Sequence, residues 1–126
     1  MRNNTITTYY SFEDGIRLDL SSDWNNLTDN KIDTSGPDAY GIYLLNNANH
    51  TLISNNTVTA SGSDAYGIHL TFASENTILL NNNISSTQSY EICDDTGNSY
   101  INYLIYNNSY GEIEWTDTSN DSFLKN

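Results

Sequence analysis

Residues 35–44 read SGPDAYGIYL and residues 61–70 read SGSDAYGIHL, so one segment of the chain returns after 26 positions. A second segment keeps the same offset through four copies. These copies are LTDNKI at 27–32, ISNNTV at 53–58, LLNNNI at 79–84 and IYNNSY at 105–110. A fixed period of this size is typical of a solenoid, in which each unit buries its apolar face against its neighbours. The repeat therefore predicts an architecture before it predicts any activity.

The apolar positions within a repeat follow the alternating period of a β-strand. In the second half of the segment, Ile42 and Leu44 face one side and Tyr43 faces the other. Three columns stay apolar at the repeat offset: Ile16, Ile42, Ile68 and Ile92; Leu27, Ile53, Leu79 and Ile105; Ile32, Val58 and Ile84, followed by Tyr110. We predict three short strands per repeat in an all-β fold, a single-stranded parallel β-helix (solenoid) of about four coils with ~26 residues per coil.

A leucine-rich repeat is the competing fold, because its range of periods includes this one and Ile53-x-x-Asn56-x-Val58 resembles its Leu-x-x-Asn-x-Leu end. That repeat also needs apolar residues two and five positions before Ile53, where Thr51 and Ala48 stand. The β-helix is therefore the preferred fold. We expect a partial N-terminal coil or cap at 1–14, β-helix repeats at 15–115 and a polar C-terminal tail at 116–126.

One polar column recurs at the same offset, and its members are Asn30, Asn56, Asn82 and Asn108. Coils about 4.8 Å apart would place these amides one above another. There they can hydrogen-bond along the axis and satisfy the backbone of a tight bend. We interpret the four asparagines as a structural ladder rather than as a binding site.

Composition limits the class of partner. The 126 residues carry a net charge of −12, with four Lys plus Arg against sixteen Asp plus Glu, so we expect no nucleic-acid binding. Such acidity suits an extracellular protein, a high-salt habitat or cation binding. Cys93 stands alone, and no apolar run is long enough to predict membrane insertion. We expect an extracellular or cell-surface location, with the export signal not present in this chain.

The paired Asn-Asn-x-Ile and Gly-Ile-x-Leu elements resemble the right-handed parallel β-helix repeat family. That family includes pectate-lyase-like folds, NosD-type repeats and Asn/Thr-rich adhesin-like surface proteins of archaea. The resemblance covers residues 15–115, and the acidic, Asn-rich, Lys-poor style is most similar to the archaeal surface members. It implies a right-handed coil, but it implies no single activity, because these repeats serve lyases, glycosidases, adhesins and inert stalks alike.

One outward column is a candidate carbohydrate-binding groove. The position between the inward Ile and Leu holds Arg17, Tyr43, His69 and Cys93 in successive coils. On an exposed face, Arg17, Tyr43 and His69 would form a shallow saccharide groove with Tyr43 as the stacking platform. The alternative is that exposed positions vary freely. Cys93 is interpreted as semi-buried and inert, and the recurring Tyr40 and Tyr66 as rings that stack on each other at one corner.

Two aspartates occupy equivalent places in adjacent coils. Asp38 and Asp64 could share a Ca²⁺ or act as a glycosidase carboxylate pair, but each also begins a turn, where Asp caps its own backbone. We prefer the turn, so no cofactor is expected unless Ca²⁺ binds there.

Catalysis has one candidate set, which is Asp94, Asp95, His69 and Arg17. The adjacent aspartates resemble the acid pair of polygalacturonase-like enzymes, whose Gly-His-Gly and Arg-Ile-Lys motifs are missing. We therefore predict a non-catalytic extracellular β-helix module, an adhesin-like surface segment that contacts polysaccharide or another glycan, with end-to-end self-association as a second expected contact. The alternative is a polysaccharide lyase or glycoside hydrolase of the pectate-lyase-like fold, or a fragment of one.

Overall fold

The computed structural model describes residues 1–71, 76–87, 91–94, 102–106, 108–111, 113–115 and 122–125. All of its regular structure in this part of the chain is β-strand, and no helix there is long and apolar enough to cross a membrane. The strands are β1 (Thr5–Thr8), β2 (Ile16–Leu18), β3 (Asn26–Thr28), β4 (Lys31–Thr34), β5 (Ile42–Leu44), β6 (Leu52–Ser54), β7 (Thr57–Ala60), β8 (Ile68–Leu70), β9 (Ile78–Leu80), β10 (Asn83–Ser86), β11 (Ile92–Asp94), β12 (Asn102–Tyr106), β13 (Ile113–Trp115) and β14 (Ser122–Lys125).

Every third strand pairs in parallel with the strand one turn away, which produces three sheets. Their orders are β1-β4-β7-β10, β2-β5-β8-β11-β13 and β3-β6-β9-β12-β14. Ile42 lies opposite Ile68, and Ile53 lies opposite Leu79, so each turn advances the chain by one sequence repeat. The parallel β-solenoid predicted from the repeat is confirmed.

Three complete turns of three strands run from β2 to β10, compared with the about four coils predicted from the sequence. The strands β11 and β12 continue the stack. Ile92 lies opposite Ile68 although their spacing is shorter than the repeat period, and Ile105 is again in register with Leu79. β1 pairs with β4 within the predicted N-terminal cap, and β14 pairs with β12 within the predicted tail at 116–126.

The core is a file of aliphatic side chains inside the coil. The β-branched and leucine side chains at alternate strand positions point inward, where each rung covers the rung before it. Ile42, Ile53 and Ile68 have no exposed surface, and Ile92 continues the same file. Ile6 packs against this cluster and lies opposite Ile32, which adds a member to a column that the sequence analysis began one turn later.

The asparagine column forms the predicted ladder. The Asn30 Nδ2 donates to Asn56 Oδ1 at 2.9 Å, the Asn56 Nδ2 to Asn82 Oδ1 at 3.0 Å, and the Asn82 Nδ2 to Asn108 Oδ1 at 2.8 Å. Asn4 extends it by one turn, since its Nδ2 donates to Asn30 Oδ1 at 2.9 Å. Asn4 stands one repeat before Asn30, so the repeat offset itself could have found it.

Candidate functional site

A surface pocket of about 250 Å³ opens beside β2 and β5. It is lined by three pairs of equivalent positions from two neighbouring turns: Phe12 and Asp38, Asp14 and Tyr40, Arg17 and Tyr43. The members of each pair stand one repeat apart, so parallel stacking brings them together without any long-range loop. The pocket is therefore built where two copies of one turn carry different side chains.

The small side chain of Asp14 explains why the pocket lies at this turn. In the next two turns the same position holds Tyr40 and Tyr66, whose rings stack with centroids 5.8 Å apart. Asp14 supplies no third ring, so the outer side of Tyr40 faces open space on the Asp14 side. The backbone N–H of Tyr40 donates to Asp14 Oδ1 at 2.9 Å, which fixes the carboxylate against the turn.

Arg17 projects from β2 into the pocket and is held by three groups. Its guanidinium lies 5.3 Å from the centre of the Tyr43 ring, 3.3 Å from Asp19 Oδ2 and 3.8 Å from Asp14 Oδ2. The side chain is still 51% exposed. Its charge is thus accessible but already balanced by carboxylates and a π-face.

The outward column is confirmed in its order and wrong in its exposure. Arg17, Tyr43, His69 and Cys93 lie on successive rungs, as the register of β2, β5, β8 and β11 requires. However, His69 is only 6% exposed and Cys93 only 3%. The reason is that Tyr40 meets the His69 ring edge-on at 4.5 Å and Tyr66 meets it at 5.2 Å. The tyrosines predicted to pack at a corner cover part of the predicted groove.

Tyr43 also differs from its predicted role as a stacking platform. Its ring is stacked on His69 at 5.0 Å with an angle of 8° between the planes, and Arg17 lies over the ring as well. Because β2 and β8 flank β5, these two residues approach the ring from opposite sides. Tyr43 therefore offers its edge to a ligand, and the exposed ring in the pocket is that of Phe12, at 74%.

Burial changes the protonation of two pocket groups. The Asp14 side chain is 6% exposed, and desolvation raises the pKa of its carboxyl above the ordinary value of 3.8, against the lowering effects of the Tyr40 hydrogen bond and Arg17. Desolvation raises the pKa of Tyr40 to about 12, with smaller contributions from Tyr43 and neighbouring carboxylates. Tyr40 is accordingly a neutral hydrogen-bonding group at physiological pH.

Asp38 and Asp64 adopt the left-handed backbone conformation in their turns, with φ of 53° and 54°. Asp tolerates this region better than most residues, which supports the turn role. Asp38 lines the pocket and Asp64 does not. Shared Ca²⁺ binding by this pair stays a prediction.

The predicted catalytic set is not gathered at one point. Arg17 lies on the first rung of its sheet and Asp94 on the fourth, which separates their strands by about 14 Å at ~4.8 Å per rung. His69, between them, is buried under Tyr40. Asp94 occupies the register position of the inward Leu70, and Asp95 lies outside the described residues.

Phe12 and Asp14 are the pocket residues that sequence reasoning missed. Neither belongs to a conspicuous motif, because the first turn diverges from the SGxDAYGI pattern of its successors. The available signal was the repeat offset, which aligns Phe12 with Asp38 and Asp14 with Tyr40. Where the first member of a column differs most from the others, the stacked surface changes shape.

Comparison with known proteins identifies a family but no individual relative. A family model described as periplasmic copper-binding protein (NosD) matches residues 1–126. No curated protein matches the chain, and no solved structure matches it.

The copper in that description was tested against the side chains. Across the described ranges, no group of three or more His, Cys, Asp or Glu side chains could hold a metal ion. His50 is stacked on Trp24 with centroids 4.2 Å apart, whereas His69 and Cys93 are buried in the outward column. Copper sites need several imidazole, thiolate or thioether ligands that converge on one point. The described residues do not fit a copper ion.

Proposed function

The chain belongs to the NosD family, and from this membership we propose that it is a non-catalytic β-solenoid module of an exported or cell-surface protein that binds saccharide in the Phe12 pocket. The family description places its members in the periplasm, which agrees with an exported location. The adhesin-like role and the glycan contact are the parts of this function that we add.

The pocket carries the proposal through its combination of an exposed ring and fixed polar groups. Phe12 offers an apolar face to the C–H groups of a sugar, while Asp14, Arg17 and Asp38 offer hydrogen-bonding groups to its hydroxyls. Phe12 also holds a left-handed backbone conformation, with φ of 63°, in which a bulky residue is an outlier. Its backbone N–H donates to the carbonyl oxygen of Pro37 at 3.0 Å, so the neighbouring turn holds it there.

Strain of this kind is retained where the surrounding structure enforces it, and it is concentrated at ligand-binding positions. A ring kept exposed on the rim of a pocket is an arrangement that a saccharide site uses. This is the feature that distinguishes Phe12 from the exposed Tyr10, which does not line the pocket.

Binding of the full chain to a panel of soluble oligosaccharides, followed by calorimetry with the best ligand, tests the proposal. Phe12→Ala is expected to weaken the affinity by about tenfold or more, since a stacked ring contributes at least one factor of ten. Tyr10→Ala is the matched control and is expected to leave the affinity unchanged. Equal losses in the two variants, or no binding to any member of the panel, would contradict the saccharide site.

A glycoside hydrolase is the second candidate, and one observation favours it. Asp14 and Asp38 share the pocket, and burial raises the pKa of Asp14 as a general acid requires. New reducing ends in a polysaccharide digest, lost in Asp14→Asn, would establish this function over the non-catalytic one. We expect none.

A further inference from the structure

The charges around the pocket define which kind of sugar it can take. Three carboxylates surround it, those of Asp14, Asp38 and Asp19, and the cation among its lining residues is Arg17. A carboxylate-bearing sugar would need a guanidinium or ammonium group ready to pair with it. The question is therefore whether the charge of Arg17 remains available to a ligand.

Arg17 is already committed within the protein. Asp19 Oδ2 accepts from its Nη2 at 3.3 Å, Asp14 Oδ2 lies 3.8 Å from its Nη1, and the Tyr43 ring lies beneath the guanidinium. Asp19 is itself held in place, because its Oδ1 accepts from Asn46 Nδ2 and from the backbone N–H of Leu20, both at 2.7 Å. These bonds keep the anionic partner of Arg17 fixed, so an acidic sugar would have to displace it.

The remaining carboxylates give the pocket an excess of negative charge. The side chain of Asp14 is largely withdrawn from water, and interactions with a buried charge are screened less than those at the surface. Asp38 stands across the pocket on the neighbouring turn. The protein as a whole carries −12, which adds a long-range preference of the same sign.

The volume limits the ligand to a small unit. About 250 Å³ lies below the roughly 300–1,000 Å³ of pockets that enclose drug-sized ligands, so one sugar ring is the natural occupant. The exposed Phe12 ring forms one wall and the edges of Tyr40 and Tyr43 form another. Aromatic walls combined with carboxylates are also the surroundings that stabilise an organic cation.

Resting on the saccharide function proposed above, we propose that the Phe12 pocket is selective for an amino sugar, a hexose residue that carries a protonated amine, and that it rejects uronic acids. The ammonium group pairs with Asp38 and Asp14, and the apolar face of the sugar ring lies on Phe12. The same charge distribution opposes binding of polyuronates, the class of substrate on which a pectate-lyase-like activity would act.

Three oligosaccharides of equal length test this selectivity: an oligomer of glucosamine, one of N-acetylglucosamine and one of galacturonic acid. Calorimetry is run on the full chain at about pH 6, where a sugar amine is protonated like an α-amino group. The glucosamine oligomer is expected to bind about tenfold more tightly than its acetylated form, the effect of one charge-assisted hydrogen bond. The galacturonate oligomer is expected to give no measurable binding.

Two matched variants separate the pocket from the acidic surface in general. Asp38→Asn is expected to abolish the preference for the amine while binding of the acetylated oligomer remains, because Asn also tolerates the left-handed turn. Asp64→Asn changes the equivalent aspartate one turn later, which has the same backbone conformation and lies outside the pocket. This variant is expected to keep the full preference for the amine.

The outcomes distinguish this inference from the function on which it rests. Equal affinity for the three oligomers, or tightest binding of the galacturonate oligomer, overturns the selectivity and leaves the saccharide site intact. An amine preference that falls equally in Asp38→Asn and Asp64→Asn reflects non-specific attraction to an acidic surface and also overturns it. Absence of binding to all three oligomers and to the wider panel overturns the saccharide function itself.

Discussion

Asn56 bonds to groups in the turns on both sides of its own. Its Oδ1 accepts from both the backbone N–H and the Nδ2 of Asn30, each at 2.9 Å. Its Nδ2 donates to Asn82 Oδ1 at 3.0 Å and to the carbonyl oxygen of Leu27 at 2.8 Å. The side chain is buried, with 1% of its surface exposed, and every hydrogen-bonding position of the amide is used.

Replacing Asn56 by Ala is expected to lower the free energy of unfolding by about 3 kcal/mol or more. The substitution leaves the backbone N–H of Asn30, one proton of its amide and the Leu27 carbonyl without these partners, and each buried loss costs about 1–3 kcal/mol. Urea denaturation measures the change. Thr57→Ala, on the exposed neighbour, is the control and is expected to stay within about 0.5 kcal/mol of the parent.

Asp14 links protonation to stability in the direction set by its burial. Its pKa in the folded protein is raised above the ordinary value of 3.8, chiefly by desolvation, so the folded state keeps the proton to higher pH than the unfolded chain does. The stabilisation is complete below pH 3.8 and is lost as the pH rises through the folded pKa. Asp14→Asn keeps an acceptor for Tyr40 and cannot ionise.

The free energy of unfolding of Asp14→Asn, relative to the parent, is expected to increase between about pH 3.5 and pH 7. Urea denaturation at several pH values measures this difference. Asp19→Asn supplies the opposite sign, because the hydrogen bond from Asn46 lowers the pKa of Asp19 and makes its contribution present above pH 3.8 and lost as the pH falls. Curves of the same slope for both variants would contradict the assignment.

At the scale of the element, the glycine before each inward isoleucine sets how closely two sheets approach. A Cβ at Gly41 would lie 2.2 Å from Val58 Cγ1 and 2.5 Å from the carbonyl oxygen of Gly67. Such distances are far below van der Waals contact, and one of the atoms is backbone. The start of β5 therefore passes against β7 and the following turn at a separation that only glycine allows.

Gly41→Ala is expected to destabilise the protein by about 2 kcal/mol or more, because neither the backbone of Gly67 nor the packed Val58 can move away. Gly111→Ala is the control. A Cβ there would meet the carboxylate of Glu91 at 2.7 Å, and the end of a flexible side chain can rotate aside. Thermal unfolding followed by circular dichroism compares the two, and similar melting temperatures would show that the close approach is not limiting.

At the scale of the whole molecule, each turn contacts mainly the turns beside it. The strand contacts within the described residues follow the order of the three sheets, and the core is one continuous file. Stability in such a solenoid is approximately the sum of turn and interface contributions. Removing one whole turn should therefore shorten the stack without altering the contacts of the others.

Deletion of residues 41–66, one full repeat, is expected to leave a folded β-solenoid with a lower free energy of unfolding. The junction places Gly67 after Tyr40, as Gly41 was, and brings Asn82 opposite Asn30 to restore the ladder. Deletion of residues 55–67, half a repeat, is the control, since it removes β7 and interrupts its sheet. Far-ultraviolet circular dichroism with a cooperative melt for the first and none for the second is the expected result.

The amino-acid sequence alone was sufficient for the stack and its ladder. Period, strand positions and register follow from Ile42, Ile68 and the recurring asparagines, because in a solenoid a local pattern and its nearest-neighbour contact determine the structure. The offset also predicted that Arg17, Tyr43 and His69 would lie on successive rungs. These features needed no knowledge of how distant parts of the chain meet.

The accessible surface was decided only by the tertiary structure. Alternation placed His69 outward and so predicted exposure, but Tyr40 and Tyr66 lean across the strand and bury it. The Phe12 pocket exists because Asp14 is too small to continue that tyrosine stack. Side-chain volume and direction at one corner determine what solvent reaches, and the repeat period carries no information about either.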